Sequence, residues 1–169
     1  MRLLALLLLA LAAVPARAEK ADKDKPTELE ANRMQADDAR RLSIFEGKVV
    51  LTKGTMRVLA DRIVVRQDDE GYQYATAEGK PVRFRQRQDP RPPDKEGVWM
   101  DGEAARIEID ERANTVKLFE NARVNRGGDQ VAGNYILVDQ NSEYFSVSAG
   151  KDGEERVKMT IQPKSAPKK

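Results

Sequence analysis

Two short motifs each return along this chain at intervals of roughly 30 to 40 residues. One joins a small and a polar residue to alternating apolar residues, and it occurs as ANRM at 31–34, ADRIVV at 60–65, GEAARI at 102–107 and GNYILV at 133–138. The other occurs as EGKVV at 46–50, EGKPV at 78–82 and ENARV at 120–124. Self-similarity at this period, in segments of strand character, predicts a stacked or spiralling β architecture with an apolar interior.

The first 18 residues have the features of a secretory signal peptide. Arg2 is followed by an unbroken apolar run at 3–14, Pro15 ends the run, and the small-residue site ARA stands at 16–18. An uncleaved membrane anchor is the alternative, but the run is short for a bilayer span. We expect cleavage before Glu19 and export to a bacterial periplasm. Because the chain has no cysteine, it has no lipid-modified cysteine, no disulfide and no thiolate metal site.

Charge and composition narrow the possible functions. Cleavage would remove Arg2 and Arg17 but no acid, which leaves 28 basic residues against 28 acidic ones. A neutral exported protein is not expected to bind nucleic acid. The chain has no histidine, so it lacks the usual general base and the commonest metal ligand. We predict no catalytic residue, no metal and no cofactor, and therefore no enzyme.

The mature chain is organised as one β domain at 27–162, after a flexible lead-in at 19–26 and before a flexible tail at 163–169. Apolar and polar residues alternate throughout the domain, and no window keeps a helical period. The segment 88–97 carries Pro90, Pro92 and Pro93 and is predicted as a surface loop. The segments 27–34 and 156–161 are predicted as the edge strands. The alternation leaves two arrangements open, a fully packed sandwich and a trough that admits a guest.

Several segments, in this order, resemble the OstA/LptA family of periplasmic lipopolysaccharide transport proteins. The resemblance begins with the series Phe45, Gly47, Val49, Leu51, Gly54, Thr55, Ala60, Asp61 and Val64, and continues through AEGKPVRF at 77–84, GEAARIEI at 102–109, LFENA at 118–122 and GNYI at 133–136. It covers residues 27–159. Asn121 stands where the earlier repeats have glycine, and asparagine tolerates the left-handed conformation that such a turn needs.

The resemblance implies an all-β fold, an incomplete and twisted β-jellyroll of two facing antiparallel sheets around an apolar groove. It implies that the groove binds the acyl chains of lipopolysaccharide. It also implies head-to-tail self-association and partners in an inner-membrane lipopolysaccharide extraction complex and an outer-membrane translocon. Two alternatives stay open: a membrane-anchored subunit of the same pathway, and a β-helical carbohydrate-active protein. The second would need an inward carboxylate pair about 5 to 10 Å apart, and none emerges.

The predicted groove lining consists of apolar side chains on one face of the strands, with plain core as the alternative for each. Phe84, Ile107 and Ile109 are preferred, because matching positions in the family line the lipid path. Opposite Phe84, the basic stripe Arg83, Arg85, Arg87 and Arg91 is predicted as a solvated face, with contact to sugar phosphates as the alternative. The predicted lining is Leu29, Met34, Leu42, Ile44, Val50, Met56, Val58, Ile63, Val65, Val82, Phe84, Ala105, Ile107, Ile109, Val116, Leu118, Val124, Ile136, Val138, Phe145 and Val147.

Overall fold

The computed structural model describes residues 22, 25–88, 90, 97–139, 141–142, 144–150 and 156–163. Their strands form a single antiparallel sheet in which β3 to β8 follow one another as a meander. At one edge both β1 and β2 pair with β3, and at the other both β9 and β10 pair with β8. The strands are β1 Thr27–Glu30, β2 Arg33–Asp37, β3 Leu42–Lys53, β4 Met56–Gln67, β5 Gln73–Arg87, β6 Trp99–Asp110, β7 Thr115–Arg126, β8 Asp129–Asp139, β9 Tyr144–Ser148 and β10 Lys158–Thr160.

A line of irregular pairing, which we call the crease, crosses every long strand near its middle. The register shifts after residue 46 of β3, 59 of β4, 78 of β5, 103 of β6 and 119 of β7. The gap between β1 and β2 lies on the same line, because the amide of Asn32 donates to the carbonyl of Gly47 at 2.9 Å. All seven occurrences of the two sequence motifs therefore fall on the crease, and the repeat marks where each strand bends.

The backbone at the crease explains the glycine of EGKVV and the asparagine of ENARV. Gly47 and Lys48 in β3 have φ of 82° and 51°, and Glu120 and Asn121 in β7 have φ of 63° and 53°. These values lie in the left-handed region, which glycine and asparagine adopt at low cost. The expectation that Asn121 takes the conformation of a turn glycine is confirmed.

The crease divides the sheet into two limbs of eight strands each. Limb A has β2 and β9 as its edges, and limb B has β1 and β10. The six long strands belong to both. Limb A contains their segments 42–46, 62–67, 73–78, 106–110, 115–119 and 135–139, and limb B contains 49–53, 56–60, 82–87, 99–104, 122–126 and 129–133.

The core lies between the limbs. Ile63, Leu118 and Ile136 in limb A and Val49 and Val82 at the crease are less than 2% exposed. One face of an uncovered sheet would leave such side chains open to water. In the described part of the chain the sheet is the only regular structure that could cover them, so the two limbs face each other. All buried side chains of the described residues are apolar. The predicted all-β class with facing antiparallel sheets is confirmed.

Several predicted strand limits are wrong. The segment 27–34 was expected as one strand, but it is interrupted at Ala31 and Asn32, where the chain passes from limb B to limb A. Gly47, Gly79 and Asn121, which the sequence suggests as turn positions, each lie within one continuous strand. The motif residues look like turns because they bend the strand without ending it.

The free ends of limb A are tied together by ion pairs between turns. Arg112, in the β6–β7 turn, contacts Asp68 at 3.3 Å and Glu70 at 2.8 Å, both in the β4–β5 turn. Arg41, after β2, donates to the Asp68 carbonyl at 2.8 Å and to the Asp69 carboxylate at 2.9 Å. Three successive turns are therefore joined at this end of the molecule.

Asp68 is the centre of this network. Desolvation acts to raise the pKa of its carboxyl, but hydrogen bonds from the amides of Tyr72 and Glu70 and from the Tyr74 hydroxyl act against it, as does the charge of Arg112. The balance holds the pKa of Asp68 below its ordinary value. Asp68 therefore stays ionised to lower pH when the protein is folded.

The free ends of limb B are held differently, by Asp22 in the predicted lead-in. Its carboxylate accepts hydrogen bonds from the amide of Thr55 at 2.8 Å, from the hydroxyl of the same residue, and from Gln86 at 3.4 Å. Burial acts to raise the pKa of Asp22, but the hydrogen bonds and the charge of Lys25 lower it below its ordinary value. The Asp22 side chain is thus held on the β3–β4 turn.

Candidate functional site

The face enclosed by the limbs, which we call the inner face, is built from rows of directly opposed residues. Residues paired across antiparallel strands point to the same side of the sheet. The row next to the crease in limb A consists of Phe45, Ile63, Ala77, Ile107, Leu118, Ile136 and Val147. In limb B, the second inner row from the crease consists of Leu29, Leu51, Val58, Phe84, Gly102, Val124, Val131 and Met159.

Burial on the inner face decreases from the crease toward the free ends of the strands. Ala104 and Ala122 at the crease are almost completely buried. Ile109 and Val138, farther along limb A, and Met56, farther along limb B, are only half-buried. The inner face is therefore packed at the crease and carries accessible apolar side chains along its rim.

Exposed apolar side chains extend the inner face to both edges of the sheet. Met34 on β2 is opposite Phe45 and is 57% exposed. At the other edge, Phe145 on β9 is 41% exposed and Met159 on β10 is 60% exposed. These side chains share the inner face by register, but they have no further strand beside them in the described structure. Exposed apolar groups at a sheet edge are typical of a surface that another molecule covers.

The side chain of Phe84 lies over Gly102, its partner on β6. A Cβ added to Gly102 would lie 2.6 Å from Cε1 of Phe84 and would also meet the carbonyl oxygen of Arg123. The space above Gly102 is therefore filled by the aromatic ring. Phe84 itself remains half-buried, so part of the ring is accessible.

Most of the residues that the sequence placed on the inner face lie there. In addition to Met34 and Phe145, which lie there by register, the predicted residues that form or pack against the core are Leu29, Met56, Val58, Ile63, Val65, Val82, Phe84, Ile107, Ile109, Val116, Leu118, Val124, Ile136, Val138 and Val147. This places them on the face; that they bind lipid stays a prediction.

Four face assignments are wrong. Leu42, Ile44 and Val50 lie on the outer face by register, because the inward residues of β3 are Phe45, Val49 and Leu51. Both faces of β3 carry large apolar side chains, so alternation alone could not choose between them. Ala105 lies in the register shift of β6, where Ala104 is the buried residue.

Sequence reasoning also missed a set of inward residues. Strict alternation fails at the crease, where inward positions in β4 and β6 are three residues apart, as with Ala60 and Ile63. The small residue in each motif could have indicated these inward positions, since several of the missed core residues are alanines. The missed core residues are Phe45, Val49, Leu51, Ala60, Ala77, Met100, Ala104 and Ala122.

The site offers apolar contact rather than chemistry. Among the described residues no cluster of three or more acidic side chains could hold a metal ion. The described part of the chain contains no helix that is long and apolar enough to cross a membrane. The basic stripe points outward, as predicted: Arg83 and Arg85 lie on the outer face of limb B, and Arg91 lies outside the described residues.

The comparisons with known proteins agree with this architecture. The sequence profile described as LptA/(LptD N-terminal domain) LPS transport protein, where LPS is lipopolysaccharide, matches residues 28–144, which is more than half of the chain. The chain belongs to this family. The predicted resemblance to the OstA/LptA family is thereby confirmed.

Individual relatives in the family are distant in sequence. The lipopolysaccharide export system protein LptA of Escherichia coli K12 is 28% identical over 140 residues, which cover 80% of this chain and 72% of that protein. The lipopolysaccharide export system protein LptH of Pseudomonas aeruginosa is 27% identical over 161 residues, which cover 92% and 89%. Because both are transport proteins, the prediction that the chain is not an enzyme is confirmed.

The fold also matches a solved structure of a relative. The crystal structure of LptH, described as the LptA-homologous periplasmic component of the lipopolysaccharide transport device from Pseudomonas aeruginosa, matches with a TM-score of 0.72 at 25% identity. The match covers 85% of this chain and 99% of that one. The predicted incomplete, twisted β-jellyroll is confirmed.

Proposed function

We propose that this protein carries lipopolysaccharide across the periplasm, with the acyl chains held against the rim of the inner face. One observation carries the proposal: the inner-face rows that contain Ile63 in limb A and Val58 in limb B are apolar, and the face is half-buried along the rim and carries exposed apolar side chains at both sheet edges. Family membership and the names of the relatives support lipopolysaccharide as the cargo and the periplasm as the compartment. Cleavage of residues 1–18 is part of the proposal.

The energetics explain why such a surface is needed. Burial of an acyl chain is worth about 0.8 kcal/mol per CH₂ group, so a chain of about a dozen carbons costs roughly 10 kcal/mol to expose to water. An apolar rim removes most of this cost during passage. Aliphatic side chains make contact without directional bonds, so the lipid can be held and then released.

The accessibility of the inner face favours some of the predicted lipid contacts over others. Phe84 and Ile109 are half-buried and available from the rim. Ile107 is only 3% exposed, so it forms the floor beneath the rim and not its surface. We therefore retain Phe84 and Ile109 as contact residues and assign Ile107 to the supporting core.

Head-to-tail association of copies follows the same logic. In the described structure β1 and β2 pair only with β3, and β9 and β10 pair only with β8, so both edges offer unpaired backbone groups. A copy docked with its β1–β2 edge on the β9–β10 edge of the next would join Met34 to Phe145 and Met159 in one apolar surface. Such a contact does not close on itself and gives a filament. In this proposal the filament joins an inner-membrane extraction complex to an outer-membrane translocon.

Site-specific photo-crosslinking tests the lipid site. A photoreactive residue replaces Phe84 in one variant and Arg66, an exposed residue on the outer face of β4 in limb A, in the control. With purified protein and lipopolysaccharide, we expect an adduct at position 84 and none at position 66. Adducts at neither position would indicate a closed core without a lipid site, and adducts only at position 66 would place the lipid on the outer face.

A further inference from the structure

The outer face of limb B carries a depression whose charge the proposed transport function does not explain. Its volume is about 500 Å³, and it lies on the side of the sheet opposite to the inner face. Its charged lining consists of Arg57, Arg83, Arg85, Arg123, Asp101 and Glu103. Four arginines and only two acidic residues thus line one depression.

The arrangement of the arginines is unfavourable for the isolated protein. Arg57 on β4 is directly opposite Arg85 on β5, and Arg83 lies two residues before Arg85 on the same face. Like charges directly opposite each other in a sheet destabilise it. Nothing in the strand pairing requires two arginines at this position, because any β-forming polar residue would serve.

The carboxylates of the depression do not neutralise this pair. The Glu103 carboxylate forms ion pairs with both Arg83, at 3.7 Å, and Arg123, at 3.9 Å. Asp101 is opposite Arg85 in register, but the Arg85 guanidinium lies 4.2 Å from the centre of the Trp99 ring instead. Among the described residues neither Arg57 nor Arg85 forms an ion pair with a carboxylate.

We propose that this depression binds a phosphate-bearing anion between Arg57 and Arg85. A guanidinium group donates paired hydrogen bonds to phosphate oxygens, and two facing guanidinium groups match a doubly charged phosphate. Stacking on Trp99 holds the Arg85 fork in place without using its charge. By register, the arginine side chains lie on the face of the strands opposite to the proposed lipid site. The phosphate belongs either to a soluble phosphorylated molecule or to a lipid headgroup displayed on a surface.

Binding of inorganic pyrophosphate to the purified protein tests the proposal. We expect saturable binding by calorimetry, and we expect the double variant Arg57→Gln/Arg85→Gln to weaken it by about tenfold or more, the usual scale for charged hydrogen bonds. The matched control is Arg66→Gln, an exposed arginine on the outer face of the same strand β4 but in limb A. It should change the affinity less than twofold. Equal loss in the control, or no dependence on Arg57 and Arg85, would overturn the proposal.

Two further measurements complete the test. Arg57→Gln should raise the melting temperature of the ligand-free protein by about 1 to 3 °C, because a like-charge contact is removed, and a lowered melting temperature would remove the basis of the proposal. Sedimentation with vesicles that contain phosphatidylglycerol distinguishes the two sources. If the protein binds vesicles through Arg57 and Arg85 but does not bind pyrophosphate, the ligand is a lipid headgroup. If it binds both through these two residues, the site accepts phosphate in either form.

Discussion

The two limbs share one core but differ in how their outer faces arrange charge. On limb A, Arg33, Glu46, Arg62 and Glu78 stand in one cross-strand row, with successive contacts of 3.2, 3.5 and 3.3 Å. On limb B, the equivalent row and its neighbour place arginines together, with too few carboxylates to pair them. Limb A shows that this fold can neutralise an outer face with alternating charges. The excess of positive charge on the outer face of limb B is therefore not a requirement of the fold.

The largest expected effect tests the common core. Leu118→Ala in limb A and Leu51→Ala in limb B each remove a buried side chain and should each lower the free energy of unfolding by about 2 to 5 kcal/mol. Because the long strands belong to both limbs, both variants should unfold in one transition in urea. Two separated transitions would mean that the limbs are independent units.

A second effect concerns the contact of Phe84 with Gly102 in limb B. Gly102→Ala should cost about 1 to 3 kcal/mol of stability, since the added methyl group meets the ring and the Arg123 carbonyl. The control is Gly150→Ala, where an added Cβ meets only ordinary contacts at 3.6 Å or more. Combining Gly102→Ala with Phe84→Leu should recover part of the loss, and full additivity of the two changes would contradict the contact.

The turn network of limb A predicts a pH dependence. The folded-state pKa of Asp68 lies below its ordinary value of 3.8, so its contribution to stability is complete above about pH 5 and is lost as the pH falls through 3.8 and below. Asp68→Asn should therefore lower the stability at pH 7 but have little effect near pH 2. Urea titrations of both proteins across this range provide the measurement, and a pH-independent difference would contradict the assignment.

The smallest effect compares the outer faces directly. Arg62→Gln breaks two ion pairs on limb A and should cost about 0.2 to 1 kcal/mol at low salt, decreasing at high salt. Arg57→Gln, on the same strand in limb B, should instead stabilise the protein under the same conditions, because it removes a like-charge contact. Thermal unfolding at two salt concentrations separates them. The comparison between the limbs fails if both variants lose stability equally.

The sequence predicted the architecture well, because the motifs that repeat are the residues that bend the strands. It could not predict, for every strand, which of its alternate residues point to the inner face. In β3 both faces carry large apolar side chains, so Ile44 and Phe45 were equivalent by pattern, and only pairing with Val64 and Ile63 separates them. In β6 the extra residue at the crease moves the buried position from Ala105 to Ala104. Face assignment past a bulge depends on tertiary register, which alternation does not contain.

The like-charge pair on limb B illustrates a second limit. The stripe Arg83, Arg85 and Arg87 was visible in the sequence, and its outward direction was predicted. The position of Arg57 opposite Arg85 was not, because it depends on how β4 and β5 align beyond their own bend. The sequence pattern of one strand predicts which of its residues share a face, but it does not predict which residues of the neighbouring strand lie opposite them.

In the open meander, the number of strands also sets the length of the inner face. Each limb has eight strands, and strands lie about 4.8 Å apart, so the inner face extends roughly 34 Å from one edge of the sheet to the other. A hairpin inserted at either edge would lengthen it by about 10 Å without disturbing any existing pair. The reach of such a molecule is thus set in discrete steps by the number of its strands.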